Sequence, residues 1–377
     1  MTERSGPLAG IKIIEFAGIG PAPFCGMLLA DLGADVVRID RKGGHDYDRY
    51  AVTTRGRRSV AIDLKNPAGV GTCLKLIEQA EGLIEGFRPG VMERLGLGPE
   101  VALKRNPRLV YGRMTGWGQS GPLAKTAGHD INYIAITGAL NAIGGSDQPS
   151  IPLNLIGDYG GGALYLAFGL LAGILHARAT GQGQVVDSAM SDGTISLLSI
   201  FHGNLAAGTW TTQRHANIID GGSHFYNVYQ CADGRWLSLA AIEPQFYKLL
   251  LEKTGITDPA FQDQHDQTQW PALREKLAAV IRGKTSTEWR ALLEGTDACY
   301  APVLDFNEAV AHPHNQARGM FTAVEGVVQP APAPQFSETP GAIQSAPATA
   351  GQHNTEALTD WGFSTHEIDE LQESKAI

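Results

Sequence analysis

The chain has 377 residues, 43% of them hydrophobic, and a formal net charge of −9. That composition excludes a disordered chain and leaves room for two or three domains with a substantial core. The acidic balance argues against nonspecific nucleic-acid binding.

The start, MTERSGPLAG, lacks an apolar signal core, so export is not expected. IKIIEF (11–16) reads as a buried strand, AGIGPAPFCGMLLADLG turns into a helix, and ADVVRID (34–40) is the next strand. That is a βαβ unit. VAIDL (60–64), GLIEGF (82–87) and LVYGRMTG (109–116) continue the series, with helical segments such as PAGVGTCLKLIEQA between them. DINYIAITGALNAIGG and the run after Asp158 read as helices, GQVVDSAM (183–190) as a strand and DGTISLLSIFHGNLAAG as a helix. Near residue 210 the texture changes. FYNVYQCADGRWLSLAAI (225–242) is two strands around an Asp-Gly turn, and EPQFYKLLLEKTG follows as a helix. Residues 268–325 alternate helices with one short strand, CYAPVL; VVQPAPAPQFSETPG (327–341) reads as a Pro-rich linker. Two terminal helices end the chain, the last with the capping box Ser364-x-x-Glu367.

The expected fold class is therefore α/β. Residues 1–200 form a Rossmann-like parallel-sheet domain, 201–221 a linker and 222–325 a smaller α+β domain. Residues 326–377 form a linker and helices returning to the large domain. The four cysteines, Cys25, Cys73, Cys231 and Cys299, show no metal or redox spacing, which fits a reducing compartment. GGGALYLAFGLLAGIL (160–175) is short for a membrane span and rich in glycine, and a buried, closely packed helix is expected.

Charge is uneven. Residues 1–125 carry 18 Lys and Arg against 13 Asp and Glu, while residues 126–377 carry 12 against 26. A basic first third suggests a local anion site or chance. GIGPAP (18–23) resembles a dinucleotide fingerprint, but Pro23 replaces its third glycine, which argues against a nicotinamide site. Arg38 and Arg41 follow where such a fold presents groups to a nucleotide; they suit a terminal phosphate, or are solvated surface residues. AGHD (127–130) and GDYGGG (157–162) hold the candidate chemistry. Asp158 precedes a predicted helix, 159–178, and can serve as its N-cap. Alternatively, Gly160 to Gly162 let a ligand approach first-turn amides, where an oxyanion would be stabilised beside an acid able to move a proton or attack a carbonyl. Histidine as a residue type suits proton transfer near neutral pH, but His129 and the neighbouring Asp130 also fit structural and capping roles. Glu243 begins a helix, a place where Glu is common for dipole reasons alone, and its position leaves its role open. No metal spacing is present: HPH (312–314) has no nearby acids.

These motifs, taken with LADLGADVVRID, EGFRPGVMERLGLGP, RMTGWGQSGP, GQGQVVDSAM, IEPQFY and PAPQFSETPG in order, resemble the family III CoA-transferases over nearly the whole length. Within that family they are most similar to the racemase branch that acts on 2-methylacyl-CoA thioesters. Transferases of the family use the acid of the GD motif as a nucleophile and lack the histidine of GHD; racemases keep both. The resemblance implies cofactor-independent racemisation by proton transfer through an enolate, with His129 and Asp158 as the acid/base pair. The thioester carbonyl would sit near the start of the helix after Asp158. It also implies that Glu243 orients His129, and that Asp130, Tyr133 and Asn154, with Gly128, Ile131 and Asn132, support the site. It assigns CoA contacts to Arg38, Ile62, Asp63, Leu64, Lys65, Gly86, Phe87, Arg88 and Arg94. The implied assembly is an interlocked homodimer with shared sites, and the implied partners are the acyl-CoA substrate, with no nucleic acid, membrane, metal or organic cofactor. The C-terminal SKAI is not a peroxisomal address, so a cytoplasmic location is expected. The alternatives are an acyl-CoA:carboxylate CoA-transferase with Asp158 as nucleophile, and a CoA-binding regulatory protein.

Overall fold

The computed structural model describes residues 4–44 and 46–377; the first three residues of the N-terminal segment lie outside them. The chain divides into two compact units, 1–137 with 153–197 and 317–377, and 138–152 with 198–316. The second unit thus takes residues 138–152 and begins at 198, where the sequence reading places a later start.

The first unit is built on six parallel strands: β1 Lys12–Phe16, β2 Asp35–Arg41, β3 Arg58–Ile62, β4 Gly82–Glu85, β5 Val110–Thr115 and β6 Gln184–Ala189. Their order is β3-β2-β1-β4-β5-β6. That is a doubly wound sheet, whose strand order reverses between β1 and β4. Side chains alternate along each strand, so β1 feeds two cores. Ile14 and Phe16 join Val37, Val60, Leu76 and Trp361 on one face. Ile13 joins Val36, Ile84, Leu166 and Leu170 on the other. Helices α1, Pro21–Asp31, and α2, Pro67–Gln79, connect the first strands; Asn66 caps α2 by accepting from the Ala68 amide.

DINYIAITGALNAIGG is broken after α3, Asp130–Ala135, because Gly138 takes the left-handed region, with φ 91°. A π-helical stretch, Leu155–Ala163, runs into α4, Leu164–Thr180. Asp158 therefore lies inside a helix and is not its N-cap, a position Asn154 occupies. The glycines after it serve helix packing rather than ligand approach. A Cβ on Gly161 would lie 2.7 Å from the Thr194 amide nitrogen of α5, Met190–Leu197, and one on Gly193 would overlap the Gly161 carbonyl. Only glycine on both sides allows this crossing.

Among the described residues, one continuous helix, Leu155–Thr180, is long and apolar enough to cross a membrane, and half of its most apolar window is buried. Leu166, Leu170, Gly173 and Ile174 pack on the sheet, whereas Leu164, Phe168 and Leu175 are exposed. The helix is thus buried on one side only, not all round.

The second unit has an antiparallel sheet, β7 Tyr226–Gln230, β8 Trp236–Ala240 and β9 Tyr300–Pro302. Asp233 and Gly234 make the turn between its first two strands. Trp270 and Trp289 anchor its core. The Pro-rich run is not linker from its start. Phe321–Val324 and Val327–Pro330 pair as a hairpin, β10 and β11, around Glu325 and Gly326, both at positive φ. The terminal helices, Asn354–Asp360 and Thr365–Glu373, pack on the first unit. Asn354 accepts from the Ala61 amide at 2.8 Å, Trp361 donates to Asp35 at 2.8 Å, and Ser364 and Glu367 form the expected capping box.

Candidate active site

Open α/β sheets bind ligands beyond the carboxyl ends of the strands, where the strand order reverses. A cavity of about 310 Å³ lies there. The turn after β1 supplies Ile19 and Gly20, the loop after β4 supplies Gly86, Phe87 and Arg88, and β5 leads to Gly116 and Trp117. Gly128, His129, Tyr133 and Asp158 complete the wall. The sequence-predicted pair therefore shares one cavity.

Each member is held locally. His129 is exposed at the N-cap of α3; its amide donates to Asn132 Oδ1 at 3.1 Å, fixing the backbone that carries the ring. Tyr133 stands edge-on to Trp117, with centroids 4.8 Å apart, and its hydroxyl donates to the Gly128 carbonyl. Asp158 Oδ2 accepts from Asn154 Nδ2 at 3.3 Å. The Asp158 amide donates to Asp130 Oδ1 at 2.6 Å, and the Gly157 amide faces the same carboxyl. Gly20 closes the opposite wall at φ 70°, where a Cβ would stand 3.2 Å from Asp158 Oδ2. Glycine there lets the turn approach the acid.

The electrostatics suit proton transfer. Burial pushes the Asp158 carboxyl above the usual carboxylate range; Asp130 adds to the push, while Asn154 and His129 oppose it. Burial likewise raises Asp130, against the amides of Asp158 and Gly157. Tyr133 is raised by burial, and next by the charge of Asp158. An acid displaced toward neutrality beside a histidine can both give and take a proton.

Other predicted residues fall elsewhere. Arg38 is in the middle of β2, not at its end. It is buried, with Nε 2.8 Å from Asp40 Oδ2, and it also donates to the Ala348 carbonyl. Such a side chain is taken up by its own strand and by the C-terminal segment and is not offered to a phosphate; Arg41 is the exposed arginine at the strand end. Much of the basic excess goes the same way. Arg55 pairs with Asp31, Arg57 with Glu15, Arg58 with Asp35, and Arg113 with Glu85. Ile62 is core, Leu64 packs against it, and the Asp63 side chain accepts from the Lys65 amide. Lys65 and Arg94 are exposed but do not line the cavity, and neither do Ile131 or Asn132. Glu243 lies in the second unit, exposed at the start of the helix Pro244–Thr254, with no side-chain capping bond. Sequence reasoning missed Gly20, Trp117 and Met190 as wall residues; the strand order, which places the loops after β1 and β5 together, is the signal that finds the first two.

Residues 8–354 match CoA-transferase family III. The chain belongs to this family. Among family III relatives, alpha-methylacyl-CoA racemase of Mus musculus is 44% identical over 374 residues, covering 98% of this chain and 97% of the mouse protein. Alpha-methylacyl-CoA racemase of Homo sapiens is 44% identical over 376 residues, with the same coverage. The crystal structure of Rv3272 from M. tuberculosis, in its orthorhombic form, aligns with this chain with a TM-score of 0.79 at 26% identity, over 94% of this chain and 99% of that one.

Proposed function

We propose that this protein racemises 2-methylacyl-CoA thioesters by moving the C2 proton through an enolate, without a cofactor. The observation that carries the reading is that His129 and Asp158 line the same cavity. The two racemases at 44% identity support it. Inverting a stereocentre needs a base on one face of the planar intermediate and an acid on the other. His129 removes the proton from one enantiomer while Asp158 delivers one; the roles reverse for the other enantiomer. The thioester supplies the acidity of C2. Its oxygen takes its hydrogen bonds elsewhere than from Gly157 and Asp158, whose amides face Asp130. Arg88, exposed at the cavity, replaces Arg38 as the cation for CoA.

In heavy water, either enantiomer of a 2-methylacyl-CoA should gain deuterium at C2 and become the racemate. A hydroxylamine-trappable anhydride on Asp158, with CoA passing to free carboxylates and no exchange at C2, would establish the transferase reading instead.

The proposed working form is a homodimer that shares its sites. Exposed Phe168, Leu175, Ile195 and Leu197 on α4 and α5 give the first unit an apolar surface in need of cover. In this reading Glu243 comes from the partner subunit to orient His129. Two inactive variants, His129→Ala/Asp158→Asn and a disabling change of Glu243, should regain up to about half the wild-type activity as a verified mixed dimer, because one composite site is then intact. A mixed dimer without activity rejects the shared site.

A further inference from the structure

The cap of the helix that carries Asp158 comes from another helix. The opening amides of any helix lack internal partners, and the residue in the N-cap position, Asn154, makes no capping bond with its side chain. Asp130, at the start of α3, fills the gap. Its Oδ1 accepts the Asp158 amide at 2.6 Å, and Gly157 lies so close that a Cβ there would stand 2.5 Å from the same oxygen. Asp130 is 8% exposed, and its other oxygen, Oδ2, is buried without a hydrogen-bond partner. A carboxyl spends one oxygen on the cap and leaves the second bare. Capping alone needs no charge, since a neutral side-chain oxygen accepts an amide bond equally well.

We infer that Asp130 is the positioning residue of the proposed proton transfer: it fixes the turn that aims Asp158, and its charge holds the shared proton on the His129–Asp158 pair. This inference rests on the racemase reading. The charged and titratable groups around Asp158 are few. From α3 come His129, Asp130 and Tyr133. From the loop after β4 comes Arg88, which also acts on Tyr133. The turn at Gly20 brings no charge. α5 faces the stretch with Met190, Gly193 and Thr194, while its one acid, Asp192, is exposed. Asp130 is thus the negative neighbour of Asp158 at this wall.

The test is the pH profile of racemisation for wild type and Asp130→Asn. The asparagine keeps an oxygen for the cap and removes the charge. The pair works with one proton between its members, so activity falls when a second is added and when the last is lost. Removing a nearby negative charge weakens proton binding at both steps, and the whole bell should move to lower pH by about one unit. A profile reduced in height but not displaced reduces Asp130 to a structural cap and overturns the inference; so does an unchanged profile. Should Asp130→Asn fail to fold, hydrogen exchange of the wild-type protein decides: the Gly157 and Asp158 amides should exchange roughly 100-fold slower than an open loop, and unprotected amides overturn the cap and with it the inference. A wild type that racemises nothing at any pH defeats the functional reading itself, whereas an active wild type whose bell Asp130→Asn leaves in place defeats only this inference.

Discussion

His129→Ala and Asp158→Asn should each lower racemisation by roughly 10²- to 10⁴-fold, the range expected for removing a positioned acid or base. The two losses should differ in kind. With Asp158 amidated, His129 still removes the proton it faces, so one enantiomer should wash its C2 hydrogen into heavy water without inverting. His129→Ala should show the complementary exchange, with the other enantiomer. Neither variant should have a stability cost to match, because His129 is exposed and Asp158 is held mainly through its backbone amide. Full racemisation by either variant would remove the two-base chemistry, and exchange of the same enantiomer by both would show that the two groups do not face opposite sides of the carbon.

Glu15→Ala should be among the most destabilising single changes in the first unit. Glu15 and Arg57 are both fully buried, with Oε2 and Nε 3.0 Å apart. α1 passes so close that a Cβ on Gly26 would collide with the Glu15 carboxylate. Burial pushes the Glu15 carboxyl up and Arg57 pulls it back, so the pair survives by mutual compensation. An arginine cannot shed its proton to escape, and breaking a buried pair from this side costs about 3–5 kcal/mol. The damage should also reach the cavity. Arg57 donates to the Pro23 carbonyl at 2.7 Å and to that of Arg55 at 2.9 Å, tying down the first turn of α1 beside Gly20. Urea denaturation followed by circular dichroism measures the loss; a cost below about 1 kcal/mol, the scale of an exposed pair, would contradict the account. Replacing both residues by methionine should cost much less than the single change, since no charge is then stranded.

The doubly wound half of the fold was legible because its signals are local. Each strand is a short apolar run and each crossover helix has its own start signal, so β1 to β6 follow in order from the residues alone. The His129 and Asp158 motifs were legible too, but their surroundings were misjudged where the deciding partner is distant in sequence. Asp158 looks like an N-cap because glycines follow it. The oxygen that caps the helix belongs to Asp130, 28 residues earlier, and the glycines answer to Gly193 and Thr194. Arg38 looked like a phosphate ligand because a count of charges does not tell which are buried; Asp40, two residues on, already neutralises it. The β10–β11 hairpin was hidden by the prolines after it, although Glu325-Gly326 is a serviceable turn.

The route of the chain also bears on how the protein is made. The second unit interrupts the first, whose core around Val60 of β3 and Leu76 of α2 is completed by Trp361 from the final segment. On the ribosome those apolar residues emerge long before their cover, by tens of seconds at about 5–20 residues per second. The second unit can meanwhile complete its core from one main stretch of chain. The nascent first unit therefore passes through a prolonged exposed stage whose length is set by the order of the chain rather than by the stability of the finished protein.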